Sequence, residues 1–262
     1  MPHGPASLIA LKNRYFIDMA FKGTAYHGWQ SQSNAGTVQA SLEEGLFRIT
    51  GEAIRTVGAG RTDTGVHARS FTVHFDASSG LFDDTKDFLY KINSVLPSDI
   101  AVFRIRSVTG TAHARFSALS RIYEYVISRK KNPFMTEYSW LLTKPLDLKA
   151  MNEASSLLLG RHDFTSFSKL HSNNRTNLCM VLKAGWREEN DDQVIFRIEA
   201  DRFLRNMVRS IVGNLVMLGS GKIRLQQFAH ILESRDRSLA KGTAPAEGLS
   251  LVQIIYPSEI YL

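Results

Sequence analysis

Disulfide bonds are excluded at the outset, because Cys179 is the chain's one cysteine. A cross-linked framework is therefore ruled out, and a reducing compartment fits. Cys179 sits among Asn177, Leu178, Met180 and Val181, neutral residues that read as the start of a strand, so a buried, inert thiol is expected. Thiolate metal sites go with it. The eight histidines include no pair at the i, i+4 spacing of a zinc-binding helix, and neither metal nor cofactor is expected. Long apolar runs are missing too. No segment approaches the roughly 20 apolar residues of a membrane helix, and Leu8 to Leu11 is too short for a secretory core. The expectation is a soluble, cytoplasmic chain with no membrane association.

Acid is in shorter supply than base. Asp and Glu number 25 against 32 Lys and Arg, leaving +7. Such an excess suits an anionic partner, of which nucleic acid is the commonest. With 262 residues, 44% hydrophobic and 22% charged, the chain has globular composition and room for one large domain or two small ones.

Tyr15, Ile17, Met19 and Phe21 alternate as a strand. A helix follows, capped by Thr37, with Val38, Leu42, Leu46 and Ile49 on one stripe. Ile54 to Val57 and Ser70 to Phe75 read as strands, Phe82 to Leu96 as a helix, and Ile100 to Val108 as a strand. The same order then recurs: strand Arg121 to Ser128, helix Leu148 to Leu159, a hairpin of Leu178 to Trp186 with Gln193 to Ala200, helix Phe203 to Leu218, and strand Leu249 to Tyr256. A short helix, Leu225 to Ser234, interrupts this second half. The fold class read from this order is α+β: two ferredoxin-like β-α-β-β-α-β halves, joined edge to edge into a mostly antiparallel sheet. Helices lie on one face and a central active-site cleft where the halves meet. The expected division is a flexible segment 1–13, an N-terminal half 14–112 and a C-terminal half 113–262.

Chemistry concentrates in Gly58-Ala59-Gly60-Arg61-Thr62-Asp63-Thr64-Gly65-Val66-His67-Ala68-Arg69. Three glycines between two strands indicate unusual dihedrals or a close approach by a ligand. One carboxylate, Asp63, is bracketed by Arg61 and Arg69, and a neighbouring guanidinium favours the ionised form that nucleophilic or general-base work requires. From the loop alone, a purely structural Asp63 that accepts backbone N–H bonds stays open. A dinucleotide loop fails, since Asp63 stands where the third glycine belongs. Gly219-Ser220-Gly221-Lys222 fails as a phosphate loop because Val216 occupies its first glycine position. Asp63-Thr64-Gly65 also matches aspartic proteases, which need two such carboxylates. No second copy occurs, and although a homodimer could supply one, Arg61 would oppose a shared proton.

Gly60 to Ala68 resembles the catalytic loop of the TruA family of tRNA pseudouridine synthases without departure. His113 to Ala118, Arg121 to Tyr125, Gly160 to Phe167, Asn206 to Gly213 and Ala244 to Leu249 match further family motifs in order, from about Tyr15 to Pro257. Departures are mild: Ala246 stands where a second proline is common, and none touches the catalytic loop. The resemblance implies isomerisation of uridine to pseudouridine in the anticodon stem-loop, at tRNA positions 38, 39 and 40, without a cofactor and by a homodimer. It implies Asp63 as the group that starts breakage of the C1′–N1 bond. Tyr123 is then the active-site tyrosine that stacks on uracil near C5, and Arg209 the basic partner of Asp63. From the residues alone, Tyr123 as core packing and Arg205 as a solvated edge stay open. Candidates for contact with tRNA are Arg61, Thr62, Arg69, Arg115, Phe116, Arg121 and Arg205, with Arg202, Lys222 and Arg224 as further cations. An RNA-binding module without chemistry is the alternative. The intact set of Asp63, Tyr123 and Arg209 argues for the enzyme, since pure binding needs no carboxylate facing an anion.

Overall fold

A computed structural model of the chain describes residues 12–169 and 175–262. Of the expected flexible segment, residues 1–11, including Leu8 to Leu11, lie outside the described residues, and Lys12 and Asn13 open the first strand. In chain order the elements are β1 (Lys12–Phe21), α1 (Val38–Thr50), β2 (Val57–Gly58), β3 (His67–Ser78), α2 (Thr85–Val95), β4 (Ile100–Val108), β5 (Ser120–Ser128), β6 (Trp140–Leu141), α3 (Leu148–Ser156), β7 (Gly160–Asp163), β8 (Leu178–Asn190), β9 (Gln193–Ala200), α4 (Met207–Gly219), α5 (Leu225–Ser234) and β10 (Leu249–Ile255).

Local chemistry explains the boundaries. Thr37 caps α1 by accepting from the Ala40 N–H, and Gly51 ends the helix with φ 72°. Asp84 caps α2 through the Lys86 and Asp87 N–H groups. The strand expected at Ile54 to Val57 shrinks to Val57–Gly58, because α1 side chains satisfy the preceding backbone. Glu43 accepts the Thr56 N–H at 2.8 Å, and Gln39 donates to the Thr56 carbonyl at 2.9 Å. The helix expected from Phe203 starts only at Met207, since Asn206 adopts a left-handed conformation with φ 65°. That kink turns Arg205 away from the helix barrel, and its carbonyl accepts the Lys169 N–H at 3.0 Å. The hairpin arm β8 runs on to Asn190, held by pairing with β9 although its last four residues are exposed.

All ten strands form one sheet in the order β4-β1-β3-β10-β5-β9-β8-β7, with β2 on β3 and β6 on β5. Every pairing is antiparallel except β3 with β10 and β5 with β6. Two strands share one edge of β3: β2 at Val73 and His74, and β10 at His67 and Ala68. The loop 59–66 lies where β3 exchanges one partner for the other.

One hydrophobic cluster packs α1 and α2 on β1, β3 and β4 through Leu42, Leu46, Ile92, Ile17 and Phe71. A second packs α3, α4 and α5 on β5, β8 and β9 through Met151, Ile211, Phe228, Tyr125 and Phe196. Tyr123 touches both clusters at their seam. Cys179 is buried in the second, where burial pushes its thiol up to about 12. The opposite side-chain parity carries Asp18, Thr72, Arg106, Glu124 and Arg197, joined by ion pairs and hydrogen bonds.

Candidate active site

The loop between β2 and β3 is held from several sides. Gly65 has φ 79°, and a Cβ there would lie 3.2 Å from the Ala246 Cβ. Gly28 has φ 87°, and a Cβ there would lie 2.2 Å from the Thr62 carbonyl oxygen. Only glycine suits either position. The Val66 N–H donates to the Asp63 carbonyl at 3.1 Å, closing a turn around the carboxylate residue. His67 then ties the exit of the loop to three other segments. Its Nδ1 accepts the Gly23 N–H at 3.0 Å, which assigns the proton to Nε2, and Nε2 donates to the carbonyls of Glu137 and Glu247 at 2.7 and 3.1 Å. Burial lowers the His67 pKa, in keeping with a neutral ring in this tautomer.

So held, Asp63 faces an open cavity of about 580 Å³ that Thr64, Lys169, Arg205, Asn206, Arg209 and Arg237 also line. Its Oδ2 lies 3.6 Å from Arg209 Nη1, and its Oδ1 lies 3.5 Å from Arg205 Nε. Arg209 is aimed by the stretch that leads into β10: its Nε donates to the Ala244 carbonyl at 2.8 Å, and the Arg209 carbonyl accepts the Ala244 N–H at 2.9 Å. Among the described residues, neither Arg61 nor Arg69 pairs with Asp63; the cations on the carboxylate come from the segment that opens α4. One carboxylate among four cationic side chains gives the cavity a net positive charge, which favours an anionic ligand.

Tyr123 lies outside the cavity wall. It packs edge to face with Phe203, ring centroids 5.1 Å apart. Burial pushes its phenol up to about 12, the Arg121 charge pulling it down and the Asp63 charge pushing it up. At neutral pH the group acts there as a neutral O–H. Thr62 is buried, with Oγ1 making no hydrogen bond among the described residues. Arg61 and Arg69 are exposed.

Phe116 is 75% exposed, with the Arg115 guanidinium 5.5 Å from its ring centre and the His113 ring at 4.4 Å. Arg121 spends its terminal N–H groups on backbone carbonyls.

Sequence reading missed Lys169, Asn206 and Arg237 at the cavity, and His67 as the loop's clamp. Arg237 lies between α5 and β10, in a stretch without helical or strand periodicity, so nothing in its neighbours marked it. The positive φ favoured by Asn at position 206 was a usable signal. Ala246, outside the catalytic loop in sequence, lies against Gly65 in space.

Residues 154–257 match the family model described as tRNA pseudouridine synthase. The chain is 44% identical over 250 residues to tRNA pseudouridine synthase A of Porphyromonas gingivalis, covering 95% of this chain and 99% of the relative. It is 46% identical over 249 residues to the protein of that name from Azobacteroides pseudotrichonymphae, covering 95% and 99%. A third relative of the same name, from Thermoanaerobacter pseudethanolicus, is 41% identical over 242 residues, covering 92% and 98%.

Proposed function

The chain belongs to the tRNA pseudouridine synthase A family, and from that premise we propose that the Asp63 cavity is where the C1′–N1 bond of a uridine is broken. The enzyme isomerises uridine in tRNA to pseudouridine. Its target lies in the anticodon stem-loop, and the working form is a cytoplasmic homodimer. The observation that carries the site reading is Asp63 at a cationic cavity, 3.5 and 3.6 Å from two guanidiniums, with no hydrogen bond to its carboxylate among the described residues.

The chemistry follows from that arrangement. The target uridine leaves its stack at a cost on the order of a few kcal/mol. Asp63, as nucleophile or base, starts cleavage of C1′–N1; the freed uracil turns, C1′–C5 forms, N1 gains a proton and C5 loses one. Arg209 and Arg205 orient the carboxylate and hold the adjoining phosphodiester. Tyr123, as a neutral phenol, offers its ring to the uracil and its O–H to proton traffic at C5. Phe203, in T-shaped contact with that ring, borders the space the base would enter.

The two halves, 14–112 and 113–262, are ferredoxin-like units. The N-terminal strands lie in the order β4-β1-β3-β2 and the C-terminal ones in the order β10-β5-β9-β8, and both correspond to fourth-first-third-second. The cleft between them admits the RNA.

Carbodiimide labelling with primer extension, on unmodified tRNA treated with wild type or Asp63→Asn, tests the reading. Stops confined to the anticodon arm and absent with Asp63→Asn are expected. No stops with wild type across a tRNA pool, with binding intact, would leave an RNA-binding module instead.

A further inference from the structure

Arg121 is the second residue of β5, two before Tyr123, and among the described residues no carboxylate pairs with it. Its Nη1 donates to the carbonyls of Asp201 at 2.7 Å and Ala118 at 3.4 Å. Its Nη2 donates to the carbonyl of Ala59 at 3.2 Å and to that of Arg115. Both terminal nitrogens are thus fully committed, each with two N–H groups on two carbonyls. The side chain is half-buried, and burial lowers the pKa of its guanidinium. A side chain so engaged has little left to offer a phosphate.

The bonded carbonyls come from three separate segments: the catalytic loop, the turn before β5 and the exit of β9. Each segment carries an arginine at or near the bonded carbonyl, namely Arg61, Arg115 and Arg202. None of these three pairs with a carboxylate among the described residues. After burial, Arg61 and Arg202 each lower the pKa of Arg115, so both charges lie within electrostatic reach of it. Phe116, exposed, follows Arg115 directly. Guanidiniums held close to one another repel, and an incoming anion lowers that penalty.

We propose that Arg121 is a positioning residue that gathers Arg61, Arg115 and Arg202 into one cradle for a backbone phosphate of the RNA, and does not itself touch the RNA. The proposal rests on the tRNA reading above for the identity of the anion. Four carbonyls in three directions require the planar fork of arginine, and the three donors of a lysine ammonium on a flexible stem do not span them. The same fork fixes Ala59, at the root of the catalytic loop, so its loss reaches the chemistry as well as the binding.

Wild type, Arg121→Lys and Arg121→Gln are compared for binding of an anticodon stem-loop RNA across a salt series, and for single-turnover rate at saturating RNA. Both variants are expected to bind about tenfold or more weakly, with a salt slope reduced by more than the roughly one unit of a single lost phosphate contact. Both are also expected to turn over more slowly when saturated. Arg121→Lys binding like wild type, with Arg121→Gln losing about one unit of slope, is the signature of a direct phosphate contact and would overturn the proposal.

Should either variant fail to fold, wild type labelled with ¹⁵N-arginine supplies the measurement. Addition of the RNA is expected to shift the guanidinium signals of Arg61, Arg115 and Arg202 while those of Arg121 stay in place. A shifted Arg121, or an unshifted trio, overturns the proposal. The expected shifts in a protein that forms no pseudouridine would refute the catalytic reading and support the cradle.

Discussion

Among the described residues, two carboxylates are each flanked by two arginines, and only one of them is left open. Glu124, on β5, receives Arg197 Nη1 at 2.8 Å and Arg187 Nη1 at 3.3 Å, both as hydrogen bonds. Asp63 has Arg209 and Arg205 at 3.6 and 3.5 Å, beyond good hydrogen-bond contact. Glu124 is directly paired with Arg197 across antiparallel strands, so the sheet register fixes their contact. Asp63 rides on a glycine-bearing loop, and its arginines come from a kinked segment elsewhere in the chain. The Glu124 side chain is 10% exposed and that of Asp63 21%. The same three charges therefore serve as a closed clasp on the strands and as an open, substrate-ready group at the loop. What separates them is whether the lone pairs are already spoken for.

Substitution at the two carboxylates should break the symmetry most sharply. Asp63→Asn is expected to lower turnover on the order of 10⁴-fold or more while leaving the melting temperature nearly unchanged. Glu124→Gln should leave turnover alone and cost about 1 kcal/mol, measured by urea unfolding. Equal kinetic losses from the two would sink the distinction. Tyr123→Phe comes next: the fold and RNA binding persist, and single-turnover rate drops about 10²-fold or more if the hydroxyl carries proton traffic. With the wild-type phenol pushed up to about 12, its ionisation adds no limb to the rate profile between pH 7 and about 10. A tyrosine-dependent limb within that window would count against this placement.

Arg209→Ala should slow turnover about 10²-fold, by unaiming the carboxylate and loosening the phosphodiester. Its cost in stability is held to about 1 kcal/mol. A fully buried pair would lose roughly 3–5 kcal/mol on truncation, but this one is partly solvated, and Arg205 remains beside Asp63. Comparable unfolding curves with intact turnover would remove Arg209 from the site.

The smallest effect concerns acid, away from both clasps. Buried His74 accepts the Ala114 N–H at 3.1 Å, and burial lowers its pKa to about 4. The unfolded histidine, near 6.5, takes up a proton that the folded one refuses, so stability is full above about pH 6.5 and is lost as pH falls toward 4. His74→Gln should flatten that part of the melting-temperature profile. An unchanged slope would assign the acid sensitivity elsewhere.

Much of the fold was legible because its signals are local. The bounds of α5 and β4 follow from periodicity, and Thr37 announced the start of α1. The β2 region misled because Ile54 to Val57 looks like a strand, while Glu43 and Gln39 of α1 supply the hydrogen bonds that a neighbouring strand would have given. β7, charged and only four residues long, offers no apolar alternation to find. In the site, Asp63 stood out by its loop, and Arg209 was tied to it only through the family resemblance. Arg61 and Arg69, the nearest cations in sequence, make no ion pair with it.

By itself, then, the chain's text determined the α+β order, the tight loop and the identity of its carboxylate. Propensity, capping and glycine dihedrals act over a few residues and leave their mark there. Only the tertiary structure decided which guanidiniums face Asp63, and that Arg121 is spent on the carbonyls of three separate segments. Those choices depend on β3 changing partners from β2 to β10 and on the kink at Asn206. Both bring together segments far apart in the chain, and electrostatics acts across space without regard to sequence distance.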